Sequence, residues 1–136
     1  MLKIESKAGT AKGSQEAVYQ YISDFRNFGH MLPADRLRDL EVSDDTIRFG
    51  IDGLGTVGLK ISEKKPCSQL TVSATDDSSA DFTFWFHIVS LSAQESEVKL
   101  VLQANLNMFL EMMAKGPLQQ FVDLMIDKLA QVEFER

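Results

Sequence analysis

The chain has 136 residues, 44% of them hydrophobic and 25% charged, which is the size and balance of a single globular domain over 1–136 with a buried core. Its formal net charge is -6, so it lacks the clustered positive charge that tracking a phosphate backbone needs, and a nucleic-acid partner is disfavoured. The one cysteine, Cys67, excludes an internal disulfide. With no signal-peptide pattern this points to a reducing, cytoplasmic setting, and no apolar run reaches the ~20 residues of a membrane span.

Leu2, Ile4, Ser6, Ala8 and Thr10 alternate with Lys3, Glu5 and Lys7. That two-residue period predicts a strand with one face inward. Gly13-Ser14 closes it. Ser14 is a helix N-cap, because its hydroxyl can accept a free backbone N–H of the first turn. Glu16 suits the positive end of the helix dipole, and Val18, Tyr19 and Ile22 form the buried stripe. A second short helical stretch over 24–28 ends at Gly29, and Pro33 bars its continuation.

Strand patterns follow over 36–42, 46–51, 56–63, 69–75, 81–91 and 97–106. Short polar links such as Ser43-Asp44-Asp45, Lys65-Pro66 and Asp76-Asp77-Ser78-Ser79 separate them, which implies antiparallel hairpins and not crossover helices. Ile47/Phe49/Ile51, Val57/Leu59/Ile61 and Leu70/Val72/Ala74 each give one apolar face. Gly53-Leu-Gly-Thr-Val-Gly58 spells G-x-G-x-x-G, with Asp76 downstream. A dinucleotide loop must open a helix, and here an alternating strand pattern follows, so a hairpin turn is the reading.

The chain ends in a long helix. Asn107 is its N-cap, and Met108, Phe109, Met112 and Met113 lie on one face of its first part. Gly116-Pro117 predicts a kink or break, because a proline ring clashes with the carbonyl four residues back. Leu118, Phe121, Val122, Met125, Leu129 and Val132 then recur at helical spacing, opposite Asp123 and Asp127. The polar face lacks the Lys/Arg excess of a membrane-surface helix.

This order of strand, two short helices, six strands and long C-terminal helix resembles the helix-grip fold of the START-like (SRPBCC) superfamily, in its polyketide cyclase-like and birch-pollen-allergen-like branch. The residues that carry the resemblance are Val18-Tyr19-x-x-Ile22-x-Asp24, the exit from Phe28 to Pro33, the glycine-containing second hairpin and the Pro117-Leu118 helix. It covers the whole chain. It implies an α+β domain in which a seven-stranded antiparallel sheet wraps around the C-terminal helix, with an apolar cavity between them. It carries over no catalytic motif.

The leading expectation is therefore binding of a small apolar or amphipathic molecule between sheet and helix, with no cofactor. Phe25, Phe28, Met31, Phe49, Ile61, Met108, Met112 and Met125 are expected to line the site, since they are apolar and fall on elements that this fold brings together. Methionine suits such a surface because its thioether is flexible and polarizable. His30, beside Phe28 and Met31, is either a polar loop residue or a general base or donor at the cavity mouth. In the latter case the chain is an enzyme of the cyclase or hydrolase type, with a Tyr or Asp partner to His30. A third reading is a protein-interaction module with a filled core. Neither His30 nor His87 has neighbours at metal-ligand spacing, so no metal is expected.

The strand over 81–91 is apolar on both faces, with Phe82, Phe84, Phe86 and Ile88 on one and Trp85, Val89 and Leu91 on the other. A sheet that grips one helix covers one face deeply. The Trp85 face is then buried either by a two-fold homodimer or by loops or the helix end of the same chain.

Overall fold

Alternating apolar residues become strands over most of the chain. The computed structural model describes residues 2–27, 37–43, 45–51, 55–76, 78, 81–105 and 108–132. The strands are β1 (Leu2–Glu5), β2 (Gly9–Ala11), β3 (Arg38–Val42), β4 (Thr46–Ile51), β5 (Gly55–Lys65), β6 (Gln69–Ala74), β7 (Asp81–Ser92) and β8 (Glu95–Asn105). They form one antiparallel sheet in the order β1-β8-β7-β6-β5-β4-β3, with β2 also paired to β8. Consecutive strands from β3 to β8 pair antiparallel, as expected from the short polar links between them. The glycine-rich segment runs into β5, so Gly55 and Gly58 belong to a strand and no helix follows them.

The period of two sets the core. Ile61, Val72, Phe84, Leu102 and Ile4 occupy one row across β5, β6, β7, β8 and β1. All but the half-buried Ile61 are buried, and Phe82, Phe86 and Ile88 share their face. Thr71, Trp85 and Val101 form the matching row on the outer face, which ends at Glu5 on β1. Trp85 is half-buried there.

The first predicted strand is divided in two. Glu5 faces Val101 and Gly9 faces Val98, so four steps along one chain match three along the other. The extra residue is a bulge, and it shifts the inward set from Ile4 to Ala11. Ser6 makes it tolerable. Its N–H donates to the Leu100 carbonyl at 2.8 Å, and its hydroxyl accepts the Leu100 N–H at 2.9 Å. A side chain thus replaces a ladder bond that the backbone cannot make.

Helix α1 (Gln15–Ile22) starts where its cap predicts. Ser14 is extended, and its hydroxyl accepts the Ala17 N–H at 3.1 Å. Val18 and Ile22 are fully buried, and α1 packs on β6, β7 and β8. Residues 25–27 are again helical, with Phe25 fully buried. The predicted end of this stretch, with Phe28, Gly29, His30, Met31 and Pro33, lies outside the described residues, as does the N-cap Asn107.

The C-terminal helix α2 (Met108–Gln131) is not broken at Gly116-Pro117, so of the expected kink or break the break is corrected. It is helical through Gly116 and Pro117 without a gap. Proline removes one intrahelical hydrogen bond, but its fixed φ of about -65° is itself helical. Val122, Met125, Ile126 and Leu129 are buried, and α2 packs on β1, β2 and β8. Three polar ties fix it over the bulge. Gln119 Nε2 donates to the Glu5 carbonyl at 2.9 Å, the Lys7 N–H donates to Asp123 at 2.8 Å, and the Lys7 ammonium pairs with Asp127 at 2.6 Å. Gly9 allows the approach, since a Cβ there would overlap Ile126 Cγ2.

Candidate functional site

The layer between sheet and α2 is built from alternate strand residues and one helix stripe. Phe25, Phe49 and Met125 all join the single buried core of this layer, and Ile61 packs against it half-buried. Met108 and Met112 do not. Each is 78% exposed, where an inward position was expected. Helix geometry gives the reason. Stepping back from Val122 by four, four and three residues, the stripe that meets the sheet continues through Leu118, Ala114 and Glu111, all half-buried. The methionines lie to the side of it. Phe28, His30 and Met31 lie outside the described residues.

Sequence reading missed Glu111. A charged residue within an apolar helix looks like solvated surface, yet Glu111 continues the inward stripe and is half-buried. It also passed over Tyr21, which packs half-buried against the core. Burial holds the Tyr21 phenol above its ordinary pKa of 10.0, so it is a neutral hydrogen-bonding group near neutrality. Asp24 is committed elsewhere. The Arg26 guanidinium grips both its oxygens at 3.0 and 2.7 Å, and these bonds, with the Arg26 N–H, hold its carboxyl below the usual range. A carboxylate so held is a poor general base.

Two open concavities are lined by described residues, both at the β3–β5 edge of the sheet. One, of about 350 Å³, lies among Arg38, Asp39, Glu41, Arg48, Phe49, Gly50, Gly55 and Thr56. The other, of about 340 Å³, is lined by residues of the same hairpin together with Gly58 and Thr75. Neither includes a residue of α2. Among the described residues, no helix is long and apolar enough to cross a membrane.

No protein-family model matches the sequence, and no curated protein is significantly similar to it. Solved structures do match its shape. A truncated norcoclaurine synthase from Thalictrum flavum superposes with a TM-score of 0.67 at 11% identity, over 97% of this chain and 95% of that one. A START superfamily protein from Mycobacterium smegmatis gives 0.62 at 13% identity, over 93% and 98%. A Deinococcus radiodurans protein gives 0.57 at 16% identity, over 91% and 98%. At such identities it is the fold that is shared, and it is shared end to end. Together with the sheet order and the helix gripped across β1, β2 and β8, this shows the chain to have the START-like helix-grip fold.

Proposed function

We propose that the chain binds a small apolar or amphipathic molecule between its sheet and α2. The observation that carries this is a mismatch of extent. The inner face of the sheet is apolar out to Ile47 and Phe49 on β4, whereas α2 packs on β1, β2 and β8, and α1 on β6, β7 and β8. Ile47 and Phe49 are buried beyond the strands on which either helix packs, so the apolar layer reaches farther than the two helices, and a ligand would enter by opening this part of it. A ligand lying against Phe49 and Ile61 would extend the layer that Phe25 and Met125 begin. Phe28 and Met31 would join this wall, Met108 and Met112 would border the entrance, and His30 would stand at the mouth. Glu111 on the inward stripe favours an amphipathic molecule, with its polar end toward α2. One similar protein, the norcoclaurine synthase, has been solved with dopamine and hydroxybenzaldehyde bound, and both are small molecules with a ring and a polar end.

Titration with a fluorescent fatty acid and with an apolar naphthalene dye tests the reading. Saturable binding at one site per chain, displaced by unlabelled ligand and weakened by Ile61→Glu, is the expected result. Failure of both probes to saturate, with the protein folded, would contradict it.

A further inference from the structure

One apolar surface of α2 borders the entrance proposed above and is exposed. Phe109 and Met113 are 70% and 62% exposed, next to Met112 at 78%. With Gly116 they follow one another by three, one and three residues, the spacing of a single helix face. The face is short. Its continuation toward the C-terminus is Gln120 and Asp123, so it is an island. Soluble monomers seldom expose so dense an apolar group.

The island is complementary to itself. In an antiparallel pair of helices related by a two-fold axis between Met112 and Met113, Met112 of one copy meets Met113 of the other. Phe109 then meets Gly116. The largest side chain faces the position with none, and a Cβ at Gly116 would meet nothing within 4 Å, so the space is open. This is a knob and a hole two helical turns apart, about 10 Å along the axis.

We propose that this face of α2 is a homodimer interface, occupied by the same face of a second copy. From their exposures, the side chains of Met108, Phe109, Met112 and Met113 offer on the order of 500 Å² per copy. Full burial in a pair approaches about 1,000 Å², the lower bound of a specific interface, so the dimer is a weak one that forms at high protein concentration. The outer sheet face around Trp85 is less suited to a second copy. Its central row ends in Glu63 on one side and Glu5 on the other. Each of these carboxylates is paired with a lysine, Glu5 with Lys99 at 3.2 Å and Glu63 with Lys65 at 3.6 Å, and burying both pairs against a second copy would cost their hydration.

Sedimentation over a range of concentrations tests this with three variants. Gly116→Leu fills the hole at an exposed helix position where an added Cβ meets nothing within 4 Å, so the monomer is expected to stay folded. Wild type is expected to pass from monomer to dimer as concentration rises. Gly116→Leu and Phe109→Glu are each expected to weaken the dimer by at least about tenfold, while Trp85→Glu leaves it unchanged. A wild type that stays monomeric at millimolar concentration would overturn the proposal. So would a dimer that survives both helix variants, or one that only Trp85→Glu dissolves. Probe binding by monomeric Gly116→Leu separates this result from the ligand reading.

Discussion

The Phe121 ring of α2 meets the Phe84 ring of β7 edge to face, 6.3 Å apart at 64°. Phe84 in turn lies 6.3 Å from Phe82 along the strand. Phe121 is thus a point at which the helix reaches beyond β8 onto the apolar face. From there toward the C-terminus the helix stripe is core, and from there toward the N-terminus it is half-buried through Leu118 and Ala114 to the charged Glu111. Truncating Phe121 to Ala should cost about 1–3 kcal/mol, less than a fully buried phenylalanine because the ring is half-buried. Urea unfolding measures it, and a cost below about 0.5 kcal/mol would show that the ring contact does not hold the helix.

The two halves of α2 predict opposite outcomes for the same substitution. Met125→Ala, at a fully buried site, should destabilise by about 2–5 kcal/mol. Met112→Ala, at a largely exposed one, should stay within about 0.5 kcal/mol. Equal costs would mean that the first turns of the helix pack as tightly as the last.

Much of the fold was legible because the alternation of residues such as Leu70, Val72 and Phe84, Phe86 survives in the strands, and because Ser14 caps α1 as its hydroxyl chemistry requires. The bulge at Ser6 was not legible. Ala8 and Thr10 keep the polar-apolar rhythm going in sequence, and only the pairing with Leu100 and Val98 shows that one residue is skipped. The unbroken helix through Pro117 was hidden for a related reason. Local rules state what a proline removes, and not whether the helix on both sides persists without it. Among the residues expected to line a site, the burial of Phe25, Phe49 and Met125 followed from their patterns. The exposure of Met108 and Met112 did not, because an apolar residue signals a buried face only when the register of the helix against the sheet is known.

Gly9 should not tolerate a side chain. Gly9→Ala places a methyl where Ile126 Cγ2 already sits, and overpacking of this kind costs about 1–3 kcal/mol. Ile126→Val removes a terminal methyl and not this branch, so it should not rescue. Ile126→Ala combined with Gly9→Ala should cost less than the sum of the single changes. Additive thermal shifts would show that the two residues do not share that space.

His87 lies on the outer face of β7, opposite Gln69 on β6 and Lys99 on β8. Burial, then Lys99 and more weakly Lys65, push its imidazole below the ordinary 6.5, while Glu5 pulls it back up. A depressed folded value means that the unfolded chain binds the proton more readily. Stability from this group is therefore full above 6.5 and is lost as pH falls through the folded value. The urea midpoint of wild type should fall between neutrality and about pH 5 more than that of His87→Gln. Equal falls, or an imidazole that titrates above 6.5 by nuclear magnetic resonance, would contradict the placement.

Native mass spectrometry of the protein purified from its own host bears most directly on the central claim, since it weighs the chain with whatever it carries. The account predicts a population heavier than the bare chain by one small molecule, and that this mass disappears on denaturation and is recovered in an organic extract. A chain that emerges only at its own mass, and that also fails to gain mass when supplied with fatty acid or a small aromatic amine, would contradict the reading of the sheet and α2 as a ligand site.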